Sequence, residues 1–304
     1  MIDNVKFYVN DRERFQENVS KNADVDLKTF LSTFTGEVTE YPKIGKLCNL
    51  EVRITEKKAH ISGSLHKFIN TYLDGEEHNY NDFDLRDVHL VVDEISNALQ
   101  INPYGTEVTN LEFGFNLEIE EDPQKIIDNR LLMYNFKCHN KDLKFRGKGD
   151  YKEYEMTDYS VKIYNKSKQY GQDRHILRVE IKFTRSRVLK RLGVYTLADL
   201  KDEEVLFNLF NFLVEQFEKL IILDEFYDRA DIPNRDVTSL VRYTNPNYWK
   251  SAAETKQSYV RERLIRHCRS LIKKYKLNKT KEMLTHKIKD KFYELMQVAV
   301  LSTA

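Results

Sequence analysis

Cysteine, proline and glycine are all scarce in this chain of 304 residues, at 3, 5 and 10 respectively. Cys48, Cys138 and Cys268 form no spaced pair, which excludes a disulfide framework and fits a reducing compartment. So little glycine and proline excludes a collagen-like or linker-rich architecture. No apolar run approaches the roughly 18 residues needed to cross a bilayer. The opening MIDNVKFYVNDRERF carries no apolar leader, and a cytoplasmic chain with no membrane span is expected. The pattern GxxxxGK[ST] is missing, so a P-loop ATPase motor is not supported. Neither Gly63 nor Gly147 and Gly149 belong to a dinucleotide fingerprint. Cys138-His139 has no matching half for a zinc site. A His, apolar, His triplet on one strand, the mark of two-histidine endonucleases, is also missing.

Aromatic residues are plentiful. There are 17 Phe and 18 Tyr, and hydrophobic residues make up 41% of the chain, enough for a sizeable core. The length permits one large domain or two ordinary ones. The formal net charge of +1 hides a split: residues 250–292 hold 14 Lys/Arg against 4 Asp/Glu, and the remainder is weakly acidic. A basic segment on an acidic body suggests a polyanionic partner.

Alternation predicts strands at Val5–Val9, Leu50–Ile54, Lys58–Ile61, Leu111–Ile119, Tyr159–Tyr164 and Ile176–Phe183. Between them, Asp84–Leu99 reads as an amphipathic helix capped by Asp84. From Leu200 onward the period is helical, with helices at Asp202–Leu223, Tyr259–Lys276 and about Lys279–Val298. Asp231–Tyr248 reads as a loop or a short helix pair. The expected class is α+β, with an α+β domain over 1–198 and a mainly helical, basic domain over 199–304.

Chemistry-bearing residues concentrate in YSVKIYNKSKQYGQDRHILRVEIKF, residues 159–183. Tyr164 ends a strand and is followed by Lys166 and Lys168; Tyr170 closes the turn; Arg178 and Glu180 lie in the next strand. A tyrosine with a pKa near 10 needs nearby positive charge to act as a nucleophile. Phosphodiester cleavage also needs a polarised phosphate, and carboxylates from neighbouring strands suit a hard divalent cation. Alternation puts Glu112 and Glu180 on non-core faces, making them the candidate ligands; the bland reading is a pair of surface carboxylates near Arg178 and Lys182. His60, in HISGSLHKF, is a further candidate ligand. Lys148, in the turn FRGKGD at 145–150, suits either a DNA backbone contact or a plain hairpin connection. Arg263, Arg266, Arg269, Lys273 and Lys274 recur along one predicted helix and can follow phosphates, giving salt-dependent and mainly sequence-independent affinity.

Several segments in order, MIDNVKFYV, ISGSLHKFIN, NYNDF, LEFGFNLEI, SVKIYNKSKQY, ILRVEIKF and LGVYTLADL, make residues 1–220 resemble the phage and plasmid replication initiation proteins of the gene II/X family. The resemblance implies an antiparallel-sheet domain related to rolling-circle replication nucleases. It implies an enzyme that cuts one strand at an origin, holds the 5′ end as a phosphotyrosine, and later rejoins ends. The implied nucleophile is Tyr164, with Tyr170 as a second candidate. Lys166 would bind phosphate or protonate the leaving group, and Arg178 would contact phosphate or orient Glu180. Glu112 and Glu180 would hold Mg²⁺ or Mn²⁺, and Asn116 stands where related initiators can carry an acidic ligand. The implied partners are origin DNA and, given the missing P-loop, a host helicase and polymerase. The alternative is a non-catalytic DNA-binding replication or copy-number regulator, which would keep the basic helices without needing the tyrosine and carboxylates.

Overall fold

The computed structural model describes residues 1–138, 151–255 and 257–297. Lys148 and the turn at 145–150 lie outside the described residues, as does His139. The strands are β1 (Ile2–Val9), β2 (Lys28–Leu31), β3 (Val38–Leu47), β4 (Leu50–Ile54), β5 (Ala59–Ser64), β6 (Thr106–Glu118), β7 (Leu131–Tyr134), β8 (Tyr151–Glu155), β9 (Tyr159–Asn165), β10 (Ile176–Phe183) and β11 (Leu220–Ile222). The helices are α1 (Arg12–Ser20), α2 (Leu65–Asp74), α3 (Leu85–Leu99), the single turn α4 (Pro123–Lys125), α5 (Lys166–Tyr170), α6 (Ser186–Arg191), α7 (Glu203–Glu218), α8 (Asn234–Thr244), α9 (Pro246–Thr255), α10 (Ser258–Lys274) and α11 (Lys279–Gln297).

Nine strands form one antiparallel sheet in the order β2-β3-β4-β5-β1-β6-β10-β9-β8, and β7 pairs with β11 in a small second sheet. The class is therefore α+β, built on a large antiparallel sheet. Its local causes are those expected from sequence. Alternating Leu111, Phe113, Phe115 and Leu117 of β6 face the core, as do Leu177, Val179, Ile181 and Phe183 of β10. Asp84 caps α3 through a reciprocal capping box with Asp87. The predicted strand at Lys58–Ile61 extends to Ser64, where the Ser64 hydroxyl accepts from the Lys67 amide and turns the chain into α2. The helix expected over Asp202–Leu223 ends earlier, at Glu218, and Leu220–Ile222 pairs with β7 instead.

Side chains of α1, α3, α6, α7 and α11 join the strands in one core, while α8, α9 and α10 build a smaller core around Trp249. The boundary expected between 198 and 199 does not separate these cores. Phe210 of α7 stacks on Phe292 of α11 at 4.0 Å, and both rings meet Phe115 of β6. The basic C-terminal segment thus divides: α11 backs the sheet, and α10 belongs to the smaller core. Among the described residues, no helix is long and apolar enough to cross a membrane.

Strand register decides which polar residues meet on the opposite face. Arg178 stands opposite Tyr164 and Asn116, Glu180 opposite Lys162 and Gly114, and Lys182 opposite Ser160 and Glu112. Directly opposed residues share a face, so the three adjacent strands β6, β10 and β9 present these groups together. Gly114 makes room for one of them. A Cβ there would sit 2.5 Å from Glu180 Cβ and closer still to the Val179 carbonyl oxygen. Gly114→Ala is expected to destabilise the fold by about 1–3 kcal/mol through overpacking. It should also displace Glu180; a wild-type denaturation midpoint would contradict this.

A buried acidic cluster as candidate active site

Asp3, Glu112 and Glu180 each offer a carboxylate oxygen, and these oxygens lie within 4.8 Å of one another. All three residues are buried. Asp3 comes from the start of β1, where the register with β6 shifts between Ile2 and Val5. That irregularity lets consecutive residues reach one place: Asp3 joins the carboxylates, and Asn4 Nδ2 donates to Glu112 Oε2. The cluster opens into a pocket of about 340 Å³ that is also lined by Lys162, Tyr164 and Lys166.

Buried carboxylates need partners, and these have them. Ser64 donates its hydroxyl to Asp3 Oδ1, and Asn79 Nδ2 donates to Asp3 Oδ2 at 2.7 Å. Arg178 Nε donates to Glu180 Oε2 at 3.1 Å, and Arg178 Nη1 donates to Asn116 Oδ1 at 3.2 Å. Its Nη2 lies 3.9 Å from Asp3 Oδ2 and has no hydrogen-bond partner among the described residues. Lys162 Nζ sits 3.5 Å from Glu112 Oε1 and 3.6 Å from Glu180 Oε1, and Lys182 Nζ sits 3.4 Å from Glu112 Oε1. Burial alone would raise the Asp3 carboxyl, but Arg178 and Lys166 reverse the effect and hold it at about 2. Burial and the neighbouring Glu180 push Glu112 up instead. Burial would lower Lys162, yet Glu180 and Glu112 hold its ammonium above the usual lysine range.

Tyr164 Oη donates to Glu180 Oε2 at 3.3 Å. Burial, then the Glu180 charge, push this phenol well above its ordinary value near 10. Lys166 follows because Asn165 ends β9 and caps α5, accepting from the Lys168 amide. Lys166 is buried, with Nζ 5.4 Å from the Tyr164 ring centre and 5.1 Å from that of Tyr170. Burial, then Arg178, lower its ammonium to about 8. Asn79 ties these groups together: its Oδ1 accepts from Lys166 Nζ at 2.7 Å and from Tyr170 Oη at 2.6 Å.

Tyr164, Lys166, Arg178, Glu112 and Glu180 therefore converge, with Tyr170 at the margin. Two sequence-derived candidates fall outside the carboxylate group. Asn116 spends its Oδ1 on Arg178, and its Nδ2 donates to the Asn79 and Asn81 carbonyls, so it positions a cation and a loop. His60 stands opposite Tyr8 on β1. Tyr8 is four residues along β1 from Asn4, about 13 Å at the usual strand rise. Lys168, expected as a DNA contact, is exposed on α5. Arg263, Arg266, Arg269, Lys273 and Lys274 are all exposed on α10, where Lys274 pairs with Asp236 and Arg269 lies over the Phe136 ring.

Sequence reasoning missed Asp3, Asn79, Lys162 and Ser64. A signal existed for Asp3: with Asn4 it breaks the apolar alternation at the head of β1, between Ile2 and Val5. Lys162 sits on the polar side of a strand already identified, beside Tyr164. Nothing in the loop GEEHNYNDFD singled out Asn79.

Three hard oxygen donors, buried and without sulfur or imidazole, fit Mg²⁺ or Mn²⁺ better than Zn²⁺. Lys162, Lys182 and Arg178 already supply part of the positive charge that these carboxylates face.

No family model matches the sequence, and no curated protein does. Among solved structures, the rolling circle replication initiator protein from Geobacillus stearothermophilus is similar over 76% of this chain and 89% of that chain, at 13% identity and a TM-score of 0.38.

Proposed function

We propose that the protein is a rolling-circle replication initiator that cuts and rejoins single-stranded origin DNA through Tyr164. The observation that carries this reading is the convergence of Tyr164, Lys166 and three buried carboxylates on one pocket. A bound Mg²⁺ or Mn²⁺ held by Asp3, Glu112 and Glu180 would polarise the scissile phosphate.

The phenol gives its proton to Glu180 Oε2, the acceptor it already faces. The new bond joins Tyr164 Oη to phosphorus, and the bond from phosphorus to the 3′ oxygen breaks. Lys166 supplies the proton that the departing 3′ oxygen takes up. Its ammonium, lowered to about 8, is a better acid near neutrality than an ordinary lysine. Arg178 holds Glu180 and Asp3 in register and neutralises charge beneath the reacting phosphate. A phosphodiester replaces a phosphodiester, so rejoining needs no nucleotide. The exposed basic residues of α10 are the surface for flanking DNA backbone, and a host helicase and polymerase are the partners that such a nick would serve.

The test is direct. Single-stranded origin DNA is incubated with protein and Mn²⁺, and a denaturation-resistant adduct is sought on a gel. The adduct should form with metal, vanish with chelator, and fall at least 10-fold in Glu112→Gln, since losing a ligand weakens metal capture. A protein that binds the DNA but forms no adduct under any of these conditions would be a non-catalytic replication or copy-number regulator.

A further inference from the structure

The face of the sheet that carries the acidic cluster continues across β1, β5 and β4, where Lys6, Tyr8, Ser62, His60, Glu51 and Arg53 are partly exposed. An open trough of about 570 Å³ leads from the cluster onto it, lined by Asn4, Glu112, Lys6, Ser62, Lys182 and one carboxylate on the platform side, Glu51. Beyond the trough, Tyr8, His60 and Arg53 stand in one row across three strands. Tyr8 is the centre of a basic group. Lys6 Nζ lies 5.5 Å and Lys58 Nζ 5.3 Å from its ring centre, and the His60 ring is 5.4 Å away. Glu107, opposite Tyr8 on β6, is already paired with Lys190 at 2.8 Å.

We infer that this row is a binding platform for single-stranded DNA, which seats the strand flanking the scissile phosphate. An aromatic ring on an open sheet face offers a stacking surface to any base. Lys6, Lys58 and Arg53 supply charge for the phosphates on either side. A duplex cannot use Tyr8 in this way, because its bases are already stacked. The trough joins the row to the carboxylates, so one continuous strand reaches from Tyr8 to Tyr164. The platform rests on the nicking reading only for which part of the substrate it holds.

The experiment measures anisotropy of a fluorescein-labelled single-stranded oligonucleotide of mixed sequence, in EDTA so that no cleavage occurs, with the full chain. Tyr8→Ala should lower affinity roughly 5- to 100-fold, while Tyr8→Phe, which keeps the ring, binds as wild type. Binding of the matching duplex should not change. The double variant Arg53→Ala/Lys58→Ala should weaken binding and make the plot of log affinity against log salt shallower by about 1.4. This double variant, altered only in side chains that reach solvent, decides the matter if Tyr8→Ala does not fold. Wild-type affinity in Tyr8→Ala, an equal loss for duplex, or an unchanged salt slope in the double variant would each overturn the platform. A protein that forms the tyrosine adduct but shows no Tyr8 effect overturns the platform alone. One that shows the Tyr8 effect and forms no adduct overturns the nicking reading alone.

Discussion

Tyr164→Phe should abolish the covalent protein–DNA product and lower strand cleavage by roughly 10³-fold or more, because the variant lacks the attacking oxygen. Its fold should survive. The change removes one hydroxyl that donates to Glu180 at 3.3 Å, a loss of about 1 kcal/mol. Binding of uncut DNA should be retained, which separates loss of chemistry from loss of substrate. The measurement is a single-turnover cleavage assay with end-labelled DNA, followed by a denaturing gel. A persistent adduct would sink the assignment. Proteolysis and sequencing of the labelled peptide would then show whether Tyr170 carries it, since its hydroxyl lies one Asn79 oxygen away from Lys166. The same assay in Tyr170→Phe should leave the adduct intact.

Arg178→Met should cost about 3–5 kcal/mol at neutral pH, the usual result of leaving buried charge uncompensated. Arg178 is the buried cation that spans Glu180, Asn116 and Asp3. Methionine fills a similar length without a charge, so the deficit reports electrostatics more than a cavity. The loss should also depend on pH in a definite direction. In the wild type Asp3 is held at about 2, below its ordinary 3.8, so its ionised form stabilises the fold above the usual carboxylate range. That contribution is lost only as pH falls toward 2. Without Arg178, burial dominates and raises Asp3 instead. Protonation then relieves the variant, and its deficit should shrink as pH falls through about 4. Urea denaturation at several pH values checks this. A deficit that is small at neutral pH, or that grows on acidification, would contradict the role given to Arg178.

Much of this site could be read from the chain because its strands alternate cleanly. Glu112 and Glu180 were identifiable as non-core residues of β6 and β10 from periodicity alone. That they share a face follows from the pairing of Lys182 with Glu112 and of Glu180 with Gly114, which no local pattern encodes. His60 illustrates the converse. Its side chain lies on the correct face, but register sets it beside Tyr8, too far along the strand to reach the carboxylates. Asp3 escaped because the irregularity between Ile2 and Val5 hides the strand's beginning from an alternation rule. Asn79 sits in a loop, where its importance comes wholly from partners distant in sequence. The C-terminal helices were legible as helices, but their destinations were not. A basic, amphipathic period describes both α10 and α11, and only packing of Leu284, Ile288 and Phe292 into the sheet core tells them apart.

One ion pair gives α11 a further part. Lys291 Nζ reaches Asp82 at 2.9 Å, and Asp82 belongs to the same loop as Asn79 and Asn81. That loop is fastened on its other side by Asn116 and by Asn70. Asn79 in turn joins Asp3, Lys166 and Tyr170. The helix behind the sheet is thus mechanically connected to the groups in front of it, through a latch only three residues from the amide that aligns them. A displacement of α11 would therefore act on the loop that holds Asn79 as well as on β6, against which Phe292 packs.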